Sequence, residues 1–265
     1  MTPKATKPAA KPKKKSAKKL AKKAIKAPVR KPVKGPITMA IDIGGSGLKA
    51  ILLDAAGHPV SDRVRVPTPK IATPRAVLKG LGKLRKSLGA FDRVSVGFPG
   101  VIKHGSTFSG FNLHPLWVKA FPLQRDLEKL WKKPVRVAND AAIQGYGAIK
   151  GDGVEMTLTL GTGLGSSLFT HGHLCPGLEL GHHPWKTKTY EDYLGRRGLD
   201  KFGKKAWNKF ILQAIAQTLA TFNWDHLYIS GGNTKKINVV LPPNVKIVKN
   251  ETGLLGGVAL WREWK

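Results

Sequence analysis

A single cysteine, Cys175, stands in a chain of 265 residues. That scarcity excludes an internal disulfide framework and any multi-cysteine metal cluster, and it suits a reducing, intracellular home, here expected to be the cytoplasm. No run approaches the roughly 20 apolar residues that cross a bilayer, so neither an integral membrane protein nor a membrane partner is expected. The first 36 residues lack the continuous apolar core of a secretory leader, because lysines interrupt them throughout. Acidic side chains are also scarce: 16 Asp and Glu stand against 46 Lys and Arg, a formal net charge of +30. The excess favours polyanionic partners, whether nucleic acid, anionic lipid or chains of inorganic phosphate.

The charge falls in two parts. Residues 1–36 hold 14 of the basic residues and none of the acids, a charge of +14, and the other 32 basic residues against 16 acids leave +16 for the remainder. The first segment is mostly Lys, Ala and Pro without aromatics, too poor in apolar surface to offset its ordering entropy, and is expected to be a disordered basic tail. Ala17, Leu20, Ala21 and Ala24 have helical spacing, so a basic helix on an anionic surface is the alternative to a solvated tail. Pro28, Pro32 and Pro36 suit a stiff linker.

From Ile37 onward the pattern changes. Thr38–Ile43 and Leu48–Leu53 read as strands around a glycine turn, and Pro59–Val66 as a third. Pro74–Leu88 has helical spacing, Arg93–Phe98 reads as a buried strand, Leu123–Trp131 as helix, Val135–Ala138 as strand and Ala141–Ile149 as helix. A second cycle follows: strands Glu155–Leu160 and Ser166–Thr170 around another glycine turn, helix Lys204–Phe222, strands His226–Ser230 and Val245–Val248, and a terminal helix Leu254–Trp264. Two similar α/β domains with a cleft between them are expected, spanning 37–139 and 140–265 after the 1–36 tail.

Three glycine turns each follow an expected strand: Asp42-Ile43-Gly44-Gly45-Ser46-Gly47 with Lys49 beyond, Gly161-Thr162-Gly163-Leu164-Gly165, and Gly231-Gly232-Asn233. Without Cβ atoms, backbone N–H groups can approach a phosphate closely. Any one of these turns alone is as well explained by hairpin geometry. Turns between adjacent strands do not fit the dinucleotide fingerprint, and no P-loop sequence is present.

The three turns at this spacing, with Asp42 opening the first, resemble the superfamily of sugar kinases, actin and heat-shock ATPases. Val137-Ala138-Asn139-Asp140-Ala141-Ala142 resembles the catalytic segment of the ROK sugar kinases, as do Gly97-Phe98-Pro99-Gly100, Asn112 with Trp117, and Glu179-Leu180-Gly181-His182. The resemblance covers about residues 38–260 and implies two actin-like (ribonuclease H-like) α/β domains, with the last helix able to pack back on the first. It implies Asp140 as general base beside the 6-hydroxyl of a hexose, and Asn112, Asn139, Glu179, His182 and Glu191 around the sugar. From the residues alone, a helix N-terminus would favour an ionised Asp140 available as a base, and a plain cap of the Ala141–Ile149 helix is the equal alternative. Gly44, Gly45, Ser46, Gly47, Gly161, Thr162, Gly163 and Gly165 would cradle the transferring phosphates. Gly231 and Gly232 would line the donor's far side, with Lys235 and Lys236 holding a phosphate chain. Lys49 is either a phosphate contact or a strand-face lysine. Mg²⁺ is the expected cofactor, bridging donor phosphates, with Asp42 as a water-mediated contact.

ROK enzymes usually carry a cysteine-rich zinc loop after the Glu-x-Gly-His segment. Here His182-His183-Pro184-Trp185 runs straight to Tyr190-Glu191-Asp192, so no zinc is expected, and His182 and His183 are structural or sugar-facing. The shortened form resembles the polyphosphate glucokinase branch. That implies a phosphotransferase acting on glucose or a related hexose with inorganic polyphosphate, ATP or both as donor, in a homodimer. The alternatives are a strictly ATP-dependent ROK hexose kinase and a non-enzymatic polyanion- or DNA-binding protein on a kinase fold. The tail resembles histone-like arms and would give nonspecific DNA contact.

Overall fold

The computed structural model describes residues 35–110, 113–248 and 256–262. The expected tail lies outside the described residues except for its last two positions, and Asn112 lies outside them entirely. Strands β1 (Thr38–Ile43), β2 (Leu48–Leu53) and β3 (Val64–Val66) form an antiparallel meander. Helix α1 (Pro74–Lys86) follows. Thr73 caps it, its hydroxyl accepting the Ala76 N–H at 3.3 Å, and Pro74 occupies the first turn, where no N–H is needed. Val77, Leu81 and Leu84, spaced for one helix face, are buried.

Strand β4 (Arg93–Phe98) pairs parallel with β1. A small hairpin, β5 (Ile102–Lys103) and β6 (Ser106–Thr107), leads to α2 (Leu123–Trp131), and β7 (Val135–Asn139) then pairs parallel with β4. The first sheet therefore runs β3-β2-β1-β4-β7. Its core holds Ile43, Leu48, Phe98 and a fully buried Trp117, whose indole N–H donates to the Ala72 carbonyl at 2.7 Å.

Helix α3 (Asp140–Tyr146) starts directly at the end of β7. Beyond it the pattern repeats. Strands β8 (Val154–Leu160), β9 (Leu164–Thr170) and β10 (His173–Leu174) form a second antiparallel meander. The hairpin of β11 (Pro184–Trp185) and β12 (Lys188–Thr189), with helices α4 (Tyr190–Leu194) and α5 (Arg196–Phe222), precedes β13 (His226–Ser230) and β14 (Val245–Ile247), which continue the sheet in parallel. The order β10-β9-β8-β13-β14 copies the first sheet strand for strand. Trp207, Ile211, Ile215 and Trp224 fill the second core.

The chain then returns to the first sheet. The 3₁₀ turn Gly256–Trp261 sets Val258 among Ala40, Ile51 and Leu53. The Trp261 indole N–H donates to the Ser95 hydroxyl at 2.8 Å, and that hydroxyl donates to the Gly257 carbonyl at 2.5 Å. The guanidinium groups of Arg93 and Arg136 lie 5.1 and 4.5 Å from the Trp261 ring centre.

Three elements differ from expectation. The third strand is only Val64–Val66, with Pro59 making one isolated bridge to Leu53, because proline offers no ladder donor. Helix α5 begins at Arg196, eight residues early; Gly203, at φ +74°, breaks it where the sequence pattern shows helix beginning. The terminal helix is a 3₁₀ turn within Gly256–Trp261, and the rest of its expected span lies outside the described residues. Among the described residues no helix is long and apolar enough to cross a membrane.

Candidate functional site

The site is built where β7 ends and α3 begins. Asn139 is the N-cap: its side-chain oxygen accepts the Ala141 N–H at 2.8 Å. Its amide donates to the Gly100 carbonyl at 3.1 Å and reaches Glu179 Oε1 at 3.5 Å, so one side chain ties the first sheet's edge to the second half. Asp140 is the first residue of α3, and its Oδ1 also accepts the Ala141 N–H at 2.8 Å.

The helix N-terminus does not decide the charge of Asp140. Burial, followed by the negative charges of Asp42 and Glu179, pushes its carboxyl up to about 6 against the opposing N–H hydrogen bonds. The expected bias toward the ionised form is thus outweighed. Glu179, in the left-handed region at φ +43°, is raised by burial and by Glu191, while His182, 4.0 Å away, works the other way.

The opposite wall is the turn between β8 and β9. Gly161 N–H donates to the Gly163 carbonyl at 3.1 Å. A side chain at Gly163 would strike the carboxylate of Glu191, whose Oε2 accepts the Leu164 N–H at 3.1 Å. A Cβ at Gly165 would come within 2.8 Å of the Ala141 Cβ, so α3 and the second turn meet there through their smallest residues. Glu191 is held on α4, whose start is a capping box between Thr189 and Asp192.

These parts enclose a cavity of about 380 Å³, within the range of roughly 300–1,000 Å³ usual for small-molecule pockets. Asn139, Asp140, Gly161, Thr162, Gly163, Gly165, Glu179, His182 and Glu191 all line it. Gly44, Gly45, Ser46, Gly47, Lys49, Gly231, Gly232, Lys235 and Lys236 do not. The first turn is self-braced: Gly44 N–H donates to Gly47 carbonyl at 3.1 Å, Thr68 hydroxyl to Gly44 carbonyl at 2.5 Å, and Arg65 to Ser46 carbonyl at 3.0 Å. Lys49 faces Asp42 across the hairpin and forms a 2.7 Å ion pair with it. The third turn is coupled to the second, since Asn233 donates to the Gly161 carbonyl at 2.7 Å and Gly231, at φ +100°, packs on the Leu160 backbone.

Gln144 and Thr159 also line the cavity and were not singled out from sequence. Gln144 lies four residues after Asp140, on the same face of α3. Its Oε1 accepts the Thr159 hydroxyl at 3.2 Å, and Thr159 pairs with Ser230 Oγ at 3.1 Å, so α3, β8 and β13 share one polar chain. The helical spacing was the only available signal. Among the described residues no three His, Cys, Asp or Glu side chains are grouped as metal ligands, and Cys175 lies beside Thr170, with 3.5 Å between Sγ and Oγ1.

Known proteins share this architecture. A crystal structure of inorganic polyphosphate/ATP-glucomannokinase from Arthrobacter sp. strain KM superposes with a TM-score of 0.74 at 28% identity, covering 86% of this chain and all of that one. A ROK family glucokinase from Streptomyces griseus, in complex with glucose and AMPPNP, superposes with a TM-score of 0.69 at 18% identity, over 84% of this chain and 98% of that one. In sequence, polyphosphate glucokinase of Mycobacterium tuberculosis (strain ATCC 25618 / H37Rv) is 32% identical over 207 residues, 74% of this chain and 77% of that protein. The duplicated sheet and the carboxylate-bearing cleft define a sugar kinase of actin-like fold, a phosphotransferase with a hexose acceptor. The ROK family matches residues 38–199, and the chain belongs to it.

Proposed function

We propose that this chain is a glucokinase that takes its phosphoryl group from inorganic polyphosphate and also from ATP, with Asp140 as general base. The observation that carries the reaction is the placement of Asp140, with a pKa of about 6, in a cavity shared with Asn139, Glu179 and Glu191. A carboxylate titrating near the working pH can orient a sugar hydroxyl and take its proton as the phosphoryl group transfers. Carboxylates and an amide around it supply the dense hydrogen bonding that a hexose demands. The glycine turn on the far wall offers backbone N–H groups to the charge developing on the phosphoryl oxygens. The polyphosphate donor is supported by two named relatives, the mycobacterial polyphosphate glucokinase and the Arthrobacter polyphosphate/ATP-glucomannokinase.

Asp42 fits an outer-sphere contact to Mg²⁺. Lys49 takes one Asp42 oxygen, so the other would be the one to hold Mg²⁺ through water, and the negative charge of Asp42 is felt at Asp140. When bound, Mg²⁺ neutralises donor phosphate charge. The test is a coupled assay of glucose phosphorylation with polyphosphate and ATP in parallel. Turnover with both is expected; turnover with ATP alone would leave the ATP-dependent kinase as the correct reading.

A further inference from the structure

The folded part has more than one strongly basic stretch, and one of them leads away from the cavity wall. Between Asp200 and Glu251 the chain carries eight lysines and a single acid, Asp225. The Asp225 carboxylate is already committed, accepting the Val154 N–H at 2.8 Å. Two of the lysine pairs, Lys204-Lys205 on α5 and Lys235-Lys236 after the third glycine turn, are far apart in sequence and exposed.

A buried side chain joins them. Asn208 is 1% exposed, and its amide donates to the Lys204 carbonyl at 2.8 Å and to the Lys236 carbonyl at 3.0 Å. Its oxygen accepts the Asn238 N–H at 2.9 Å. The clamp sets the backbone of one lysine pair against that of the other. The joined segments are anchored to the cleft, because Asn233 of the third turn is bonded to Gly161 of the cavity wall. The two pairs' side chains thus leave from neighbouring stretches of backbone, and no Asp or Glu pairs with these lysines among the described residues, so their charge is available to an anion.

We propose that Lys204, Lys205, Lys235 and Lys236 form a single lane for the part of a linear phosphate chain that extends beyond the reacting phosphates. A lysine row fits such a ligand because each ammonium acts as a point charge toward repeating, identically charged units, with no base or sugar to recognise. This rests on the polyphosphate-donor reading, and the experiment separates the two.

The test is the Lys204→Ala/Lys205→Ala double variant in the full chain, so that the basic tail contributes equally to both proteins. KM for long-chain polyphosphate is expected to rise about tenfold, and the slope of log KM against log salt to fall by about 1–2. KM for tripolyphosphate and ATP, and kcat with any donor, should stay within about twofold, since those donors end before the lane. An unchanged KM for long polyphosphate, in a protein that turns it over, overturns the lane and keeps the donor reading. Calorimetric binding of long polyphosphate covers the other case. A parent that binds the chain but does not transfer from it, with binding weakened in the double variant, overturns the donor reading and keeps the lane.

Discussion

At the scale of single residues, Asp140 is where burial and the proposed chemistry meet. Its folded value of about 6 lies above the ordinary aspartate value near 3.9, so its protonated form is favoured by folding. Stability from this group is fully present below about pH 4 and is lost as pH rises through 6. At pH 8 the buried charge costs on the order of 1–2 kcal/mol after solvent screening. Asp140→Asn is therefore expected to melt at a higher temperature than the parent at pH 8, with the difference closing near pH 4. The same substitution should abolish nearly all transfer while calorimetry still detects glucose binding. In the parent, kcat/KM for glucose should rise with pH through about 6 as the base ionises; a flat profile across that region would remove Asp140 from the role. The place of Asp140 in the cavity was legible through the resemblance of residues 137–142 to the ROK catalytic segment, since a helix N-terminus alone left a plain cap open. The Gln144–Thr159–Ser230 chain was not, since its members come from three elements that meet only when folded.

At the scale of elements, the glycine turns show what local pattern reveals and what it conceals. Their positions follow from strand ends and missing side chains, and the Asp42–Lys49 pair follows from the register of a hairpin that the sequence already outlines. What fills the space beside each glycine is a tertiary matter: Glu191 beside Gly163 comes from a helix nearly thirty residues on. Gly163→Ala tests this. Its methyl group would displace the far end of a flexible carboxylate, so the fold should lose less than about 1 kcal/mol. If Glu191 holds the sugar, KM for glucose rises several-fold with kcat little changed; a loss of kcat without a change in KM would count against that role. Helix α5 teaches a related lesson, since Gly198 and Gly203 punctuate its first turns and hide them from a periodicity argument, while Leu199 packs there in the core.

At the scale of the whole molecule, the repeated order of strands and helices was readable, because each half runs through the same sequence of periodicities. The return of the chain end to the first sheet was not readable in that way, since 3₁₀ turns carry no strong pattern and their partners are distant. Trp261, with two arginines near its ring and a hydrogen bond to Ser95, fastens that return. Trp261→Ala should cost about 2–4 kcal/mol, seen as a lower Tm with KM for glucose unchanged in the folded protein.

The segment Gly256–Trp261 rests against both the first sheet and α3. A side chain at Gly256 would collide with the Ile143 carbonyl of α3. Any group larger than hydrogen there would push that segment off the helix whose first residue is Asp140, so a glycine outside the cavity guards the position of the carboxyl buried within it.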